Sequence, residues 1–208
     1  METFEENNGG NLLLIFVRNC ELGKVKTRLA KDIGNENALK IYQSLLVHTR
    51  DIALDVNAFR MVYYSDYIDF HDTFQNEYFL KDEQHDGDLG QKMEFSLEEN
   101  FEEGYDHIIC IGSDCIELSS EIINRAFEEL DSHDVVIGPA KDGGYYLIGM
   151  SKLHTSLFRD KPWGTSDLLL DTILDLKKTN LSYHLLETLN DVDEVEDLTE
   201  DLKSLVGL

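Results

Sequence analysis

The longest unbroken apolar run in the chain is LLLIFV, Leu12 to Val17. It is bounded by Gly9, Gly10 and Asn11 before it and by Arg18 and Asn19 after it. A short run without polar alternation, closed on both sides by polar residues and glycine, predicts a strand buried on both faces. Downstream, Ala38, Ile41, Tyr42, Leu45 and Leu46 recur at spacings of three and four, which predicts an amphipathic helix over residues 35–50. Further strands are predicted at residues 59–64, at 107–111 (HIICI), from Asp134 to Ile137, in the run that follows KDGG, and at 182–186. Helices are predicted over 91–103, over 120–130 with Ser119 as N-cap, over 167–177 and over 194–205. Residues 70–81 are both aromatic and charged and stay ambiguous, with room for a short helix and an edge strand.

Strands that alternate with helices predict an α/β fold with a mainly parallel sheet. The 208 residues contain no repeat, no low-complexity tract and no linker, and only two prolines. One domain is therefore expected over 1–208, with residues 1–10 as a flexible start. Ligands of such sheets bind beyond the carboxyl ends of the strands. Three polar clusters fall there: the loop after the first strand, Asp114 after HIICI, and the turn from Pro139 to Gly144.

Charge narrows the choice of partner. The formal net charge is -24, with 42 Asp and Glu against 18 Lys and Arg. Such a field repels polyanions, so a nucleic-acid partner is not expected. There is no run of apolar residues long enough for a membrane span, and the acidic start METFEENNGGN does not read as a signal or transit peptide. Cys20, Cys110 and Cys115 are odd in number and contain no C-x-x-C pair, which suits a reducing cytosol and a cytoplasmic protein.

Against that balance, Arg18, Lys24, Lys26, Arg28 and Lys31 crowd one loop, GKVKTRLAKDIG (Gly23 to Gly34), and its approach. An even spread would place about one basic residue in that window. A basic loop between a buried strand and a helix can hold a diphosphate, or can be a solvated turn paired with acidic neighbours. It is neither a Walker A loop, since position 18 is Arg, nor a G-x-G-x-x-G fingerprint. Asp114, in CIGSDC, stands where a carboxylate can hold Mg²⁺ or Mn²⁺ on phosphates, or where an Asp simply turns the chain. In GPAKDGGYYLIG, Gly143 and Gly144 permit close approach of backbone to a ligand, or a tight hairpin. Of the adjacent Tyr145 and Tyr146, one is expected toward the crevice and the other toward the core. Asp191 and Asp193 are two apart, as a metal site in extended chain would have them. Alternatively, Asp193 with Glu196 fits a capping box and Asp191 faces solvent. Trp163, in WGT, suits either a sugar or base pocket or packing under a loop. The seven histidines show no zinc spacing and read as surface or core.

The order of these motifs carries a resemblance over about residues 11–203. G-x-V-K-T-R-L, G-D-L-G-x-x-M, I-G-S-D-C, G-P-x-x-D-G-G-Y-Y-L-I-G, W-G-T and D-V-D-x-x-x-D-L follow in turn. The chain resembles the bacterial and archaeal radical-SAM/selenodomain-associated transferases, some of which are named arsenosugar biosynthesis glycosyltransferases. It is more distantly similar to the molybdenum-cofactor and 2-phospholactate guanylyltransferases. The resemblance implies a three-layer α/β/α nucleotide-diphospho-sugar transferase fold of GT-A, Rossmann-like type. It implies phosphate or nucleotide contacts from Gly23, Lys24, Lys26, Thr27 and Arg28, with Gly87, Asp88 and Gly90 of G-D-L-G approaching the nucleotide. It implies a divalent metal, Mg²⁺ or Mn²⁺, on Asp114, Asp193 and Asp191, and a sugar or acceptor pocket bordered by Gly138, Pro139, Gly143, Gly144 and Tyr145. Trp163 and Thr165 join that pocket, and Asp142 is the candidate to hold or deprotonate an acceptor hydroxyl. The chain departs from the family's usual residues at Arg18, Cys20, Lys92 and Ile116, none of them an implied metal ligand. The expected partners are a nucleotide or nucleotide-sugar and a small-molecule acceptor. The expected function is metal-dependent glycosyl transfer. Nucleotidyl transfer with release of pyrophosphate is the alternative, and an inactive nucleotide-binding or partner protein a further one.

Overall fold

The computed structural model describes residues 10–208, so the expected flexible start at 1–10 lies almost wholly outside the described residues. Its core is a seven-stranded sheet of β1 (Asn11–Val17), β2 (Phe59–Tyr64), β3 (Leu80–Glu83), β4 (His107–Ile111), β5 (Val135–Pro139), β6 (Tyr145–Met150) and β7 (Tyr183–Leu185). The order across the sheet is β3-β2-β1-β4-β6-β5-β7. All neighbours are parallel except β6, which runs antiparallel between β4 and β5. The expected α/β architecture with a mainly parallel sheet is the one found, and β6 makes the sheet mixed.

The unalternated run of β1 has a direct cause. Leu13, Ile15 and Val17 face one core, with Tyr42, Leu46, Ile123 and Phe127. Leu12 and Leu14 face the other, with Met93, Leu97 and Leu176. Strand side chains alternate between faces, so a central strand covered on both sides must be apolar at every position. The first core lies under α2 (Asn35–Leu54) and α4 (Ser120–Leu130), the second under α3 (Leu89–Glu102) and α5 (Leu168–Lys178). A short α1 (Ala30–Ile33) precedes α2, and α6 (Glu200–Val206) closes a smaller cluster with Leu29, Ile41, Leu45, Val192, Leu198 and Leu202.

Two boundaries differ from the sequence expectation because of capping. Helix α3 begins at Leu89, two residues early, with Asp88 as its N-cap in a reciprocal box with Gln91. The last helix begins at Glu200, with the Thr199 hydroxyl accepting from the Leu202 amide. The box of Asp193 with Glu196, the alternative reading of this segment, does not form. Glu194 and Asp197 make one instead around a 3-10 turn at Val195–Asp197, which leaves the Asp193 side chain free of capping duty. The ambiguous stretch 70–81 is mostly turns that lead into β3 at the sheet edge.

Candidate active site

The carboxyl ends of β1, β2 and β4 open into a cleft of about 980 Å³. The end of β1 is held open by buried polar contacts. Tyr42 of α2 accepts from the Arg18 amide (2.8 Å), donates to the Arg18 carbonyl (3.1 Å) and lies 3.2 Å from the Ser113 hydroxyl. Asn19 accepts from the amides of Asp66 and Tyr67 and donates to the Tyr67 carbonyl, which ties the loop after β2 to the loop after β1. The Gln84 amide donates to the Val17 and Tyr63 carbonyls, at 3.1 and 3.0 Å, and so occupies acceptors left over where β1 and β2 end.

The basic loop reaches directly over the acidic residues. Lys26 has a φ of 47° and a side chain only 5% exposed. Its ammonium lies 2.6 Å from Asp114 Oδ1 and 3.3 Å from Asp193 Oδ1. Arg28 donates to Asp193 Oδ2 at 2.6 Å. Asp114 is nearly half exposed toward the cleft, whereas the expected second pair, Asp191 and Asp193, is brought there by backbone contacts. The Val192 amide, between the two aspartates, donates to the Asp114 carbonyl at 2.9 Å. Leu189 extends the β5–β7 pairing by bonding to Pro139 and Lys141. That pairing sets the segment of Asp191 beside the turn that carries Asp142. Burial first, then the charges of Asp114 and Asp142, push the Asp191 carboxyl up to about 7. Asp191 is only partly exposed and lines the cleft.

Three carboxylates with two cationic side chains among them suit a hard divalent cation, which takes oxygen ligands. One cation, the Lys26 ammonium, already joins two of them. Among the described residues the three carboxylates do not form a set with oxygens all within 4.8 Å, so a metal here requires Lys26 to withdraw and the aspartates to close.

The other wall of the cleft is aromatic. Tyr145 and Trp163 meet edge to face, with ring centroids 6.2 Å apart, and the indole N–H donates to the Phe158 carbonyl at 3.3 Å. Tyr145 and Tyr146 point to opposite faces of the sheet. Tyr146 donates to the Glu187 carbonyl, whereas the buried Tyr145 hydroxyl has no partner among the described residues, and burial raises its pKa. Asp142 is exposed at the rim, and one of its oxygens accepts from the Gly144 amide at 2.8 Å.

The family model described as "Uncharacterized protein conserved in bacteria (DUF2064)" matches residues 51–165, more than half of the chain. This chain belongs to the DUF2064 family. Among solved structures, a "putative nucleotide-diphospho-sugar transferase" from Desulfovibrio desulfuricans G20 is similar at 30% identity and a TM-score of 0.82, over 89% of this chain and 83% of that one. The inositol-1-phosphate CTP transferase of T. maritima aligns at 13% identity and a TM-score of 0.57, over 97% and 96% of the two chains. The 4-diphosphocytidyl-2C-methyl-D-erythritol synthase of Anaerococcus prevotii DSM 20548 aligns at 10% identity and a TM-score of 0.59, over 92% and 95%. The last two share the fold. No curated protein matches the sequence. The fold of this DUF2064 chain is that of the nucleotide-diphospho-sugar transferases.

In this DUF2064 member, Lys24, Lys26, Thr27, Arg28, Gly87, Asp114, Asp142, Gly144, Tyr145, Trp163, Thr165, Asp191 and Asp193 all line the one cleft. Gly23, Asp88, Gly90, Gly138, Pro139 and Gly143 do not line it. Several of these have a packing or capping reason. Asp88 caps α3. A Cβ on Gly90 would stand 2.3 Å from the Phe158 carbonyl oxygen and 2.5 Å from Trp163 Nε1. Gly138 lies against the Tyr146 ring, and a Cβ on Gly143, at φ 91°, would stand 2.2 Å from the Ser166 carbonyl oxygen. Close backbone approach is thus real at Gly90 and Gly143, but the partners are Phe158 and Trp163 for the first and Ser166 for the second, all of the same chain. Asn19, Tyr42, Gln84 and Ser113 also line the cleft. Their polar reach across the strand ends has no short-range sequence signature, and Tyr42 reads only as part of an apolar helix face. Among the described residues, no helix is long and apolar enough to cross a membrane.

Proposed function

We propose that this protein is a metal-dependent transferase that uses a nucleotide-activated donor, with glycosyl transfer to a small-molecule acceptor as its reaction. The observation that carries the reading is the basic loop meeting a carboxylate cluster at the carboxyl ends of the strands, through Lys26, Asp114 and Asp193. A donor's diphosphate supplies the negative charge that Lys26 and Arg28 otherwise find in these aspartates and Lys24 in Glu21. When bound, Mg²⁺ or Mn²⁺ held by Asp114, Asp193 and Asp191 would supply further positive charge at the departing diphosphate. Lys26, freed from Asp114 and Asp193, turns its ammonium to the phosphates, and Arg28 adds a second donor from the more exposed side of the cleft. Tyr145 and Trp163 offer an apolar wall on which a sugar or base face can lie. Asp142, whose second oxygen is uncommitted, holds the acceptor hydroxyl and can take its proton.

The resemblance of the motif order to radical-SAM/selenodomain-associated glycosyltransferases, and the name of the Desulfovibrio relative, support the glycosyl reading. Nucleotidyl transfer, in which an acceptor phosphate attacks the nucleotide α-phosphate and pyrophosphate leaves, is supported by the cytidylyl-type names of the more distant neighbours. One experiment separates them. NTPs and sugar nucleotides are screened with Mn²⁺ by thermal shift, and the stabilising donors are then incubated with candidate acceptors. Release of nucleoside diphosphate supports glycosyl transfer and release of pyrophosphate supports nucleotidyl transfer. Binding without either product means an inactive binder, and no shift with any nucleotide overturns the proposal.

A further inference from the structure

A second cluster lies at the other end of the sheet. Glu129 stands in the last turn of α4 and His133 just beyond that helix, two residues before β5 begins. His184 sits on β7, where it is paired with Val136 of β5. None of the three lines the cleft. Glu129 Oε2 lies 3.3 Å from His133 Nδ1 and 3.3 Å from His184 Nδ1, and the two imidazole centroids are 5.5 Å apart. Among the described residues this is the one group of three His, Cys, Asp or Glu side chains whose ligand atoms all lie within 4.8 Å of one another. All three side chains are about one-third exposed, open enough for an ion to enter.

We propose that Glu129, His133 and His184 form a transition-metal site that staples strand β7 to helix α4, independently of the cleft. Nitrogen and carboxylate ligands about 2.0–2.2 Å from a shared tetrahedral ion stand roughly 3.3–3.5 Å from one another. The two nitrogen–oxygen separations already meet that condition, and closing the two rings onto the ion is a side-chain adjustment. Two imidazoles with one carboxylate suit Zn²⁺, Ni²⁺ or Co²⁺ far better than Mg²⁺ or Mn²⁺, and water would fill the remaining position. His133 Nδ1 now lies 3.1 Å from both the Glu129 carbonyl and the Ser132 hydroxyl. Coordination takes it away from them, but the Glu129 carbonyl keeps the His133 backbone amide at 3.0 Å, so no buried acceptor is orphaned. Because the ligating imidazoles must be neutral, binding weakens as pH falls.

The place of the site gives it a consequence. β7 is three residues long and sits at the sheet edge, paired only with β5. The chain leaving it delivers Asp191 and Asp193 to the cleft. Arg125 of α4 also pairs with Glu187 just after β7, so helix and strand are already drawn together on that side. An ion on His184, His133 and Glu129 adds a second tie.

Co²⁺ titration of the full chain, read by visible absorption and calorimetry, tests the site, with Asp114→Asn as the background that disables the cleft. The wild type and Asp114→Asn should both take up one ion with the absorption of low-coordinate Co²⁺. His184→Ala and His133→Ala should each weaken that uptake by more than about tenfold. His184→Gln and His133→Gln serve in place of either alanine variant that melts early. Zn²⁺ should displace Co²⁺ and raise the melting temperature of the wild type but not of the histidine variants. No Co²⁺ uptake in Asp114→Asn, or uptake unchanged in both histidine variants, would reduce the cluster to two imidazoles hydrogen-bonded to one carboxylate and overturn the proposal.

Discussion

Asp191→Asn is a substitution whose effect on stability should grow with pH. In the ligand-free protein the Asp191 carboxyl is raised to about 7, by burial first and then by the charges of Asp114 and Asp142. In the unfolded chain the same group titrates near ~3.9. The folded state therefore binds an extra proton between these values, and stability is lost as pH rises through the window. At about 1.36 kcal/mol per pH unit, roughly 2 kcal/mol is lost by about pH 5.5 and roughly 4 kcal/mol by about pH 8. Asn is nearly isosteric with the protonated acid and cannot ionise. The difference in unfolding free energy between Asp191→Asn and wild type should then be small near pH 4.5 and should favour the variant by roughly 4 kcal/mol near pH 8. Urea unfolding of both proteins at half-unit steps from pH 4.5 to 8.5 measures it, and taking the difference removes the general self-repulsion of a chain with net charge -24. A divalent cation on Asp191 would stabilise the ionised form, so saturating Mn²⁺ should shrink the gap. Two unfolding curves that stay parallel across the range would refute the raised pKa and the crowding of carboxylates from which it arises.

Lys26→Ala and Arg28→Ala should each weaken nucleotide affinity about ten- to a hundredfold by calorimetry, the loss of one charge-assisted hydrogen bond at ~1.5–3 kcal/mol. Asp193→Asn keeps the shape of the side chain and loses its ion pairs with Lys26 and the exposed Arg28, but Lys26 keeps Asp114, so the ligand-free melting temperature should fall only a little. The stabilisation by nucleotide plus Mn²⁺, roughly 5–10 °C at a hundredfold excess over Kd for the wild type, should shrink; an undiminished shift removes Asp193 from the site. Gly143→Ala places a Cβ against the Ser166 backbone at a left-handed φ and should cost about 2–4 kcal/mol in chemical denaturation, whereas Gly144→Ala, which meets only the Asp142 carboxylate at 3.2 Å, should cost well under half of that.

What was legible in the sequence was whatever short-range chemistry dictates. The unalternated β1, the amphipathic α2, the Ser119 cap and the alternation of strand with helix predict a mainly parallel α/β sheet, and the sheet's carboxyl ends predict where polar loops must meet. The motifs GKVKTRLAKDIG, CIGSDC and DVD thereby point to one place. Their mutual arrangement belongs to the tertiary structure. Capping is a competition among neighbouring side chains for a few amides, and the sequence pattern cannot settle that Glu194 and Asp197 win it; their doing so frees Asp193 for Lys26 and Arg28. Close approach at Gly90 and Gly143 reads in the sequence as contact with a ligand, and in the fold Phe158, Trp163 and Ser166 fill the space. The raised carboxyl of Asp191 depends on burial and on two charges distant in sequence, and the meeting of His133 with His184 depends on strand order. Both are sums over neighbours that only the folded chain brings together, which is why residues some fifty to eighty positions apart and lacking any common motif are decided by structure alone.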